Sequence, residues 1–317
     1  MLECAALKHL QLLTMTTVQH TMQNLSFILI NTLLSPFAFL PLRWSQAIGA
    51  YLGLALIKHN RKRAHIALSN IRTCFPEKTA KKQQELLNMT AIEAGKWFME
   101  APYIWFRKPQ YLIDKVTVRN PELLQLAHQK GRGVVIVLPH QGNWELLNFY
   151  VPRHYSFGAM YRPIKSPLFE RIIFNGRSRL GTSMFAANPK GVRQALKALK
   201  KNSVVAILSD HLPSENAGVH APFFGRLALT GKLTHSLIKH NLSEVLIASV
   251  LRKPEGQGFE ISFADIPGMD VADAVVAATA LNQAIEKSIL LAPEQYQWVY
   301  RRFAKPPKGM KSIYEDC

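Results

Sequence analysis

The 317-residue sequence predicts an α/β fold, a central mixed sheet flanked by helices, and three observations carry that prediction. Short apolar runs alternate with longer amphipathic stretches, the pattern of strands buried between helices. The run Gly133-Val-Val-Ile-Val-Leu138 is apolar and β-branched without interruption, as a strand covered on both faces must be. Hydrophobic residues make up 48% and charged residues 19%, with no repeat or low-complexity tract, so the chain can fill a core and is neither disordered nor fibrous.

The first element is hydrophobic. Residues 21–42 carry no charge, and that length is compatible with a bilayer span, which needs roughly 20 apolar residues. Pro36 and Pro41 would kink its second half, so a span and a shallow re-entrant anchor both fit. A buried helical hairpin of a soluble protein fits the length as well. The anchor is the reading adopted, with Lys58, Arg61, Lys62 and Arg63 behind it keeping the remainder cytoplasmic. The expected division is residues 1–45 as hydrophobic membrane anchor and 46–317 as an α/β domain, of which 46–115 is helical.

Residues 61–105 show helical periodicity broken at Pro76. Strands are expected at 133–138, 156–161, 204–209, 245–251 and 259–263. Helices are expected at 144–150, 167–180, 191–201, 229–240 and 272–291. In open α/β sheets ligands bind beyond the carboxyl ends of the strands, and the polar residues of interest fall there.

The charge balance is 39 Lys and Arg against 21 Asp and Glu, a net +18, which calls for a polyanionic partner: nucleic acid, an anionic lipid surface or an acidic protein. Between Leu146 and Ser209 lie eleven basic residues and one acid, Glu170. The three cysteines, Cys4, Cys74 and Cys317, have neither zinc nor disulfide spacing, which suits a reducing compartment.

The strongest predicted strand runs into Leu138-Pro-His-Gln-Gly-Asn-Trp-Glu145. His140 and Glu145 are five apart, about 140° around a regular helix, so they share no helical face. With His140 in the turn before a helix, however, Glu145 can reach back to one ring nitrogen and leave the other facing the crevice. Such a pair is a general base for a hydroxyl and needs no protein nucleophile. A histidine that only caps a helix fits the same spacing. Gly142 would let a ligand approach the backbone, and the amides opening the helix would favour an anion.

Tyr161-Arg-Pro163 ends the next strand. Pro163 forces Arg162 into an extended conformation that presents its guanidinium for a phosphate. Arg171, Arg177 and Arg179 follow without forming a stripe, and binding and plain solvation are equally open for them. Asp210-His211 ends another strand, where the acid can position Arg162 or the acceptor while His211 stands by. Val219–Gly225 is an apolar loop that fits the wall of an acyl groove or a core lid. No intact phosphate loop, dinucleotide fingerprint, nucleophile elbow or metal-spaced cluster is present in the sequence.

Taken together, these residues resemble the bacterial lipid A secondary acyltransferases, the lauroyl and myristoyl transferases of the lysophospholipid acyltransferase superfamily. His140-Gln-Gly-Asn-Trp-Glu145 is similar to the family's His-x4-Asp/Glu block and Tyr161-Arg-Pro163 to its second block. Asn70–Glu77, Pro222-Phe-Phe-Gly225 and Gln297-Trp-Val-Tyr-Arg-Arg-Phe303 are similar to further signatures, in family order. The resemblance implies an acyltransferase-type αβα fold at the cytoplasmic face of the bacterial inner membrane. It implies transfer of a fatty acyl group from acyl carrier protein to a hydroxyl of an anionic glycolipid, without cofactor or metal. His140 would be the base and Glu145 its orienting carboxylate. Asn143, Tyr161, Arg162, Arg177, Asp210, Phe224 and Gly225 would contact substrate. His211 stands where the family pattern leads one to expect Gln.

Rival readings are the same chemistry on a phosphatidylinositol mannoside, ornithine lipid or lysophospholipid, and a basic lipid- or nucleic-acid-binding protein without catalysis. The nucleic-acid reading has charge alone in its favour, since the basic block contains few aromatics suited to base stacking and no recognition module appears.

Overall fold

Val134–Leu138 forms a strand buried at every position, and the sheet grows from it. The computed structural model describes Thr32 and residues 35–314, so Cys4, Cys317 and most of the expected anchor lie outside the described residues. Apart from single helical turns, the elements are α1 (Leu42–His59), α2 (Arg61–Cys74), α3 (Ala80–Phe106), β1 (Val116–Arg119), α4 (Pro121–Gln129) and β2 (Val134–Leu138). They continue through β3 (Phe157–Tyr161), α5 (Pro167–Ser178), β4 (Ser183–Ala186), α6 (Pro189–Lys200) and β5 (Val204–Leu208). The chain ends with β6 (Gly218–Phe223), β7 (Arg226–Gly231), α7 (Leu233–Asn241), β8 (Glu244–Arg252), β9 (Phe259–Asp265) and α8 (Ala274–Leu291).

Seven strands make the main sheet in the order β1-β9-β8-β2-β5-β3-β4. Pairing is parallel throughout except between β8 and β9, so the sheet is mixed as expected. Alternate residues of β2 feed two cores. Val135 and Val137 face one with α2, α6, α7 and α8, whereas Val134, Ile136 and Leu138 face the other with α4 and the turns at 144–151. Helix α8 is long and apolar enough to cross a membrane by composition alone, yet it packs on β6 and β8 as a core helix.

Three local expectations change. The loop at Val219–Gly225 is instead β6 and its turn, paired antiparallel with β7, which also takes the first residues of the helix expected from Leu229. Phe224 and Gly225 sit at the tip with φ of 47° and 74°, the left-handed pair of a tight hairpin. The boundary expected at 45/46 falls inside α1.

Helix α1 lies close against α3. A Cβ added to Gly49 would stand 2.5 Å from the Gly95 carbonyl oxygen, so only glycine permits this approach. A buried ionic cluster then ties both helices to the sheet. Arg252 on β8 donates to Glu100 and Glu93 of α3, and Gln46 of α1 donates to Glu100 at 2.7 Å.

Candidate active site

Two neighbouring parallel strands build the site. In the register of β2 and β5, Leu138 sits opposite Leu208, and His140 and Asp210 each follow by two residues. That symmetry brings the two side chains together at the carboxyl edge of the sheet. Nδ1 of His140 lies 2.7 Å from Asp210 Oδ1, and the His140 amide donates to Oδ2 at 2.8 Å. A carboxylate only accepts, so Nδ1 is the donor, and in the neutral ring the lone pair belongs to Nε2. The His140 side chain keeps 15% of its surface exposed while Asp210 keeps 1%. Burial by itself would raise the Asp210 pKa, but the charge and hydrogen bonds of His140, with His211 beyond, hold it well below the usual carboxylate range.

Other rings fix the imidazole. Trp144 meets its edge at a centroid distance of 5.0 Å. His211 lies flat on its face at 3.6 Å with 1° between planes, and Tyr300 stacks on the far side of His211 at 3.8 Å. Burial, then the nearby charge of His140, hold His211 down at about 4 against the pull of Asp210. Burial, and then Asp210, push the Tyr296 pKa well above its ordinary value, which leaves a neutral phenol against the carboxylate. Donor atoms of His140, Asp210 and His211 fall within 4.8 Å of one another, a grouping the sequence spacing does not reveal. Ring-nitrogen lone pairs lie in the ring planes, however, and two planes stacked in parallel do not converge on a common ion.

Several expectations for this region need correction. The carboxylate beside His140 is Asp210, two strands' ends apart in sequence, and not Glu145. Glu145 is 1% exposed and receives Arg177 on both oxygens, through Nε at 3.0 Å and Nη2 at 2.5 Å. Burial disfavours the Arg177 charge, but Glu145 outweighs that cost and moves the guanidinium further up. Arg177 is therefore a structural partner first, with 20% of its side chain exposed. Asn143 is buried and its amide donates to Glu100 at 2.8 Å, so it joins the ionic cluster under α1 and α3 rather than a substrate surface.

Gly142 has φ +58°, and a Cβ there would stand 1.9 Å from the Val250 carbonyl oxygen. The close approach is thus to β8 and not to a ligand. The amides of Gly142 and Asn143 donate to Gln295 and Val250, which leaves neither for an anion. Phe224 packs on Phe75, Phe223 and Trp298, with its amide bonded to Glu286, an arrangement of core and not of a groove wall. Its neighbour Gly225 is only the hairpin tip.

Tyr161 ends β3, ring against Phe174, with its hydroxyl turned to Glu170. Arg162, next in sequence, is exposed, and its charge reaches His211. The two terminal signatures meet in space. Asn70 donates to the Trp298 and Tyr300 carbonyls and accepts from the Tyr314 hydroxyl. Arg302 is buried with no ion-paired carboxylate among the described residues, bonded to Leu229, Thr230 and Asn282, and burial pulls its pKa down. Cys74, also buried, has its thiol pushed up and is not a nucleophile.

The sequence matches known proteins over most of its length. The sequence profile of the bacterial lipid A biosynthesis acyltransferases matches residues 14–305. The chain is 29% identical over 271 residues to the lipid A biosynthesis lauroyltransferase of Escherichia coli (strain K12), covering 84% of this chain and 87% of the relative. It is 28% identical to the palmitoleoyltransferase of the same strain over 84% of this chain and 87% of that one, and 20% identical to the myristoyltransferase over 87% and 88%. A profile spanning nearly the whole sequence places this chain in the bacterial lipid A biosynthesis acyltransferase family.

Proposed function

We propose that the protein transfers a fatty acyl group from its thioester on acyl carrier protein to a hydroxyl of a phosphorylated glycolipid, a lipid A precursor. Nε2 of His140 takes the hydroxyl proton as the acceptor oxygen bonds to the thioester carbonyl carbon. The tetrahedral intermediate collapses by breaking the carbon–sulfur bond, and the imidazolium returns the proton to the departing thiolate. Asp210 holds the reactive tautomer and offsets the imidazolium charge. The thioester is already activated, so one base and an anion-stabilising group are sufficient and no cofactor enters. Arg162, exposed and near enough for its charge to reach His211, is the candidate for a substrate phosphate or the oxyanion. Glu145 acts at one remove, by fixing Arg177. The observation that carries this reading is the His140–Asp210 contact, with Nε2 left free at the sheet edge.

The same reading sets the reaction at a membrane surface, and α1 supports it. Trp44, Ile48, Tyr51, Leu52 and Leu56 form its exposed stripe, while Ser45, Gln46, Gly49 and Gly53 face α3. A helix against water shows the reverse arrangement. Small residues at the interhelical contact and apolar ones outside suit a lipid neighbour, and Lys58 and Arg61 suit anionic head groups. Incubating purified protein with lauroyl-acyl carrier protein and a lipid A precursor tests the activity. Mass spectrometry should show one added acyl chain, and an unchanged acceptor would refute the proposal.

A further inference from the structure

A cavity of about 520 Å³ lies between the start of α2 and the loop that follows Trp298, and nothing in the mechanism above uses it. Its wall includes Lys62, Arg63 and Arg301 together with Ile66, Leu212 and Tyr300, and no acidic residue is among those lining it. None of the three cations forms an ion pair with a described residue, and Arg301 rests over the Tyr314 ring at 4.8 Å. Three like charges around one opening repel each other, and no described carboxylate offsets them. Lys62 and Arg63 are also of the wrong sign for their place, since the first turn of α2 contains no acid and a helix start disfavours cations. Both costs are relieved by one negatively charged occupant.

The position says which occupant. Tyr300 lines the cavity and is also the third ring of the stack that begins at His140, with gaps of 3.6 and 3.8 Å between successive rings. The Leu212 amide donates to the Tyr300 hydroxyl at 2.9 Å, which anchors the cavity wall to the strand end carrying Asp210. A group bound here therefore lies two ring contacts from the base. The apolar lining of Ile66 and Leu212 beside the cations fits a phosphate ester attached to a greasy or extended chain better than a free ion.

We propose that this cavity is a phosphate-ester subsite, in which Lys62, Arg63 and Arg301 hold the phosphate of one of the two reacting substrates while its reactive atom lies at His140. The proposal rests on the acyl-transfer reading for its substrates. The phosphate comes either from the glycolipid head group or from the phosphopantetheine arm of the carrier protein, and kinetics separates the two sources.

The test uses the full chain carrying Lys62→Gln and Arg63→Gln, with Lys81→Gln and Lys82→Gln on α3 as a control for the same loss of charge elsewhere. The subsite variant should show a KM about tenfold or more above wild type for one substrate, with kcat nearly unchanged. A rise confined to the phosphorylated acceptor, and absent when the acceptor phosphate is removed, assigns the head group. A rise confined to acyl carrier protein assigns the pantetheine arm. KM values for both substrates within twofold of wild type, or an equal rise in the control, would overturn the subsite.

Calorimetric binding of phosphorylated and dephosphorylated glycolipid, and of holo-acyl carrier protein, gives a readout without turnover. If the wild type transfers no acyl group but binds one phosphate ester at least tenfold better than the subsite variant, the acyl-transfer reading fails and the subsite stands. If all affinities match between wild type and variant, the subsite fails whatever the activity.

Discussion

His140 and Asp210 stand at the same offset beyond two adjacent parallel strands, and the strand register alone brings Nδ1 to 2.7 Å from Oδ1. A base assembled this way depends on the sheet and not on the loop that carries the histidine. Its orienting partner should show this directly.

Asp210→Asn should lower kcat by about 10²-fold or more while KM changes little, because the amide can donate to Nδ1 and so stabilise the wrong tautomer. Steady-state kinetics between pH 6 and 9 checks it, and activity within twofold of wild type would remove Asp210 from the mechanism.

Glu145 and Arg177 should behave as one unit. Removing either partner strands a buried charge, a cost of about 3–5 kcal/mol, whereas Glu145→Gln with Arg177→Met removes both. The double variant is expected to unfold at a higher denaturant concentration than Glu145→Gln alone. Strictly additive losses would show that the pair is not coupled.

His211 sets a pH dependence. In the folded protein it titrates near 4, below its ordinary value of 6.5. Between those two values the unfolded chain binds a proton that the folded chain refuses. The stability this represents is whole above about 6.5 and drains away as pH falls towards 4. Asp210, held low by its partners, contributes stability that is whole above the usual carboxylate range and is lost only as pH falls through and below it, so the windows are separate. Denaturant midpoints at pH 7 and 5 should differ less in His211→Gln than in wild type. An identical difference would mean that His211 does not titrate as placed.

Membrane contact through α1 has its own signature. A chain beginning at residue 35 should still co-sediment with anionic vesicles, and Tyr51→Glu with Leu56→Glu should reduce that binding by about tenfold without altering circular dichroism. These side chains are 76% and 68% exposed, so folding does not need them. Failure of the truncated chain to bind vesicles would assign membrane contact elsewhere.

The interior strands were legible because β2, β5 and β8 are β-branched runs that admit one reading. The four-residue edge strands β1 and β4 were not, since Phe185 is their one fully buried position and nothing in Val116–Arg119 or Ser183–Ala186 separates them from loop. The hairpin of β6 and β7 hid behind Pro222 and Gly225, which mark a loop as readily as an edge strand and its tip. His140 could be singled out from its place after β2. Its partner could not, because Glu145 is near in sequence whereas Asp210 is near only once β5 is known to lie beside β2. Local spacing carries no information on sheet order, and the stack of His211 and Tyr300 depends on that order too.

The most direct measurement follows acyl transfer from lauroyl-acyl carrier protein to a lipid A precursor by wild type and by His140→Ala, with matched folding and vesicle binding. The wild type should add one acyl chain, and His140→Ala should be slower by at least about 10³-fold, the scale of a lost general base. Turnover by His140→Ala at the wild-type rate would contradict the account.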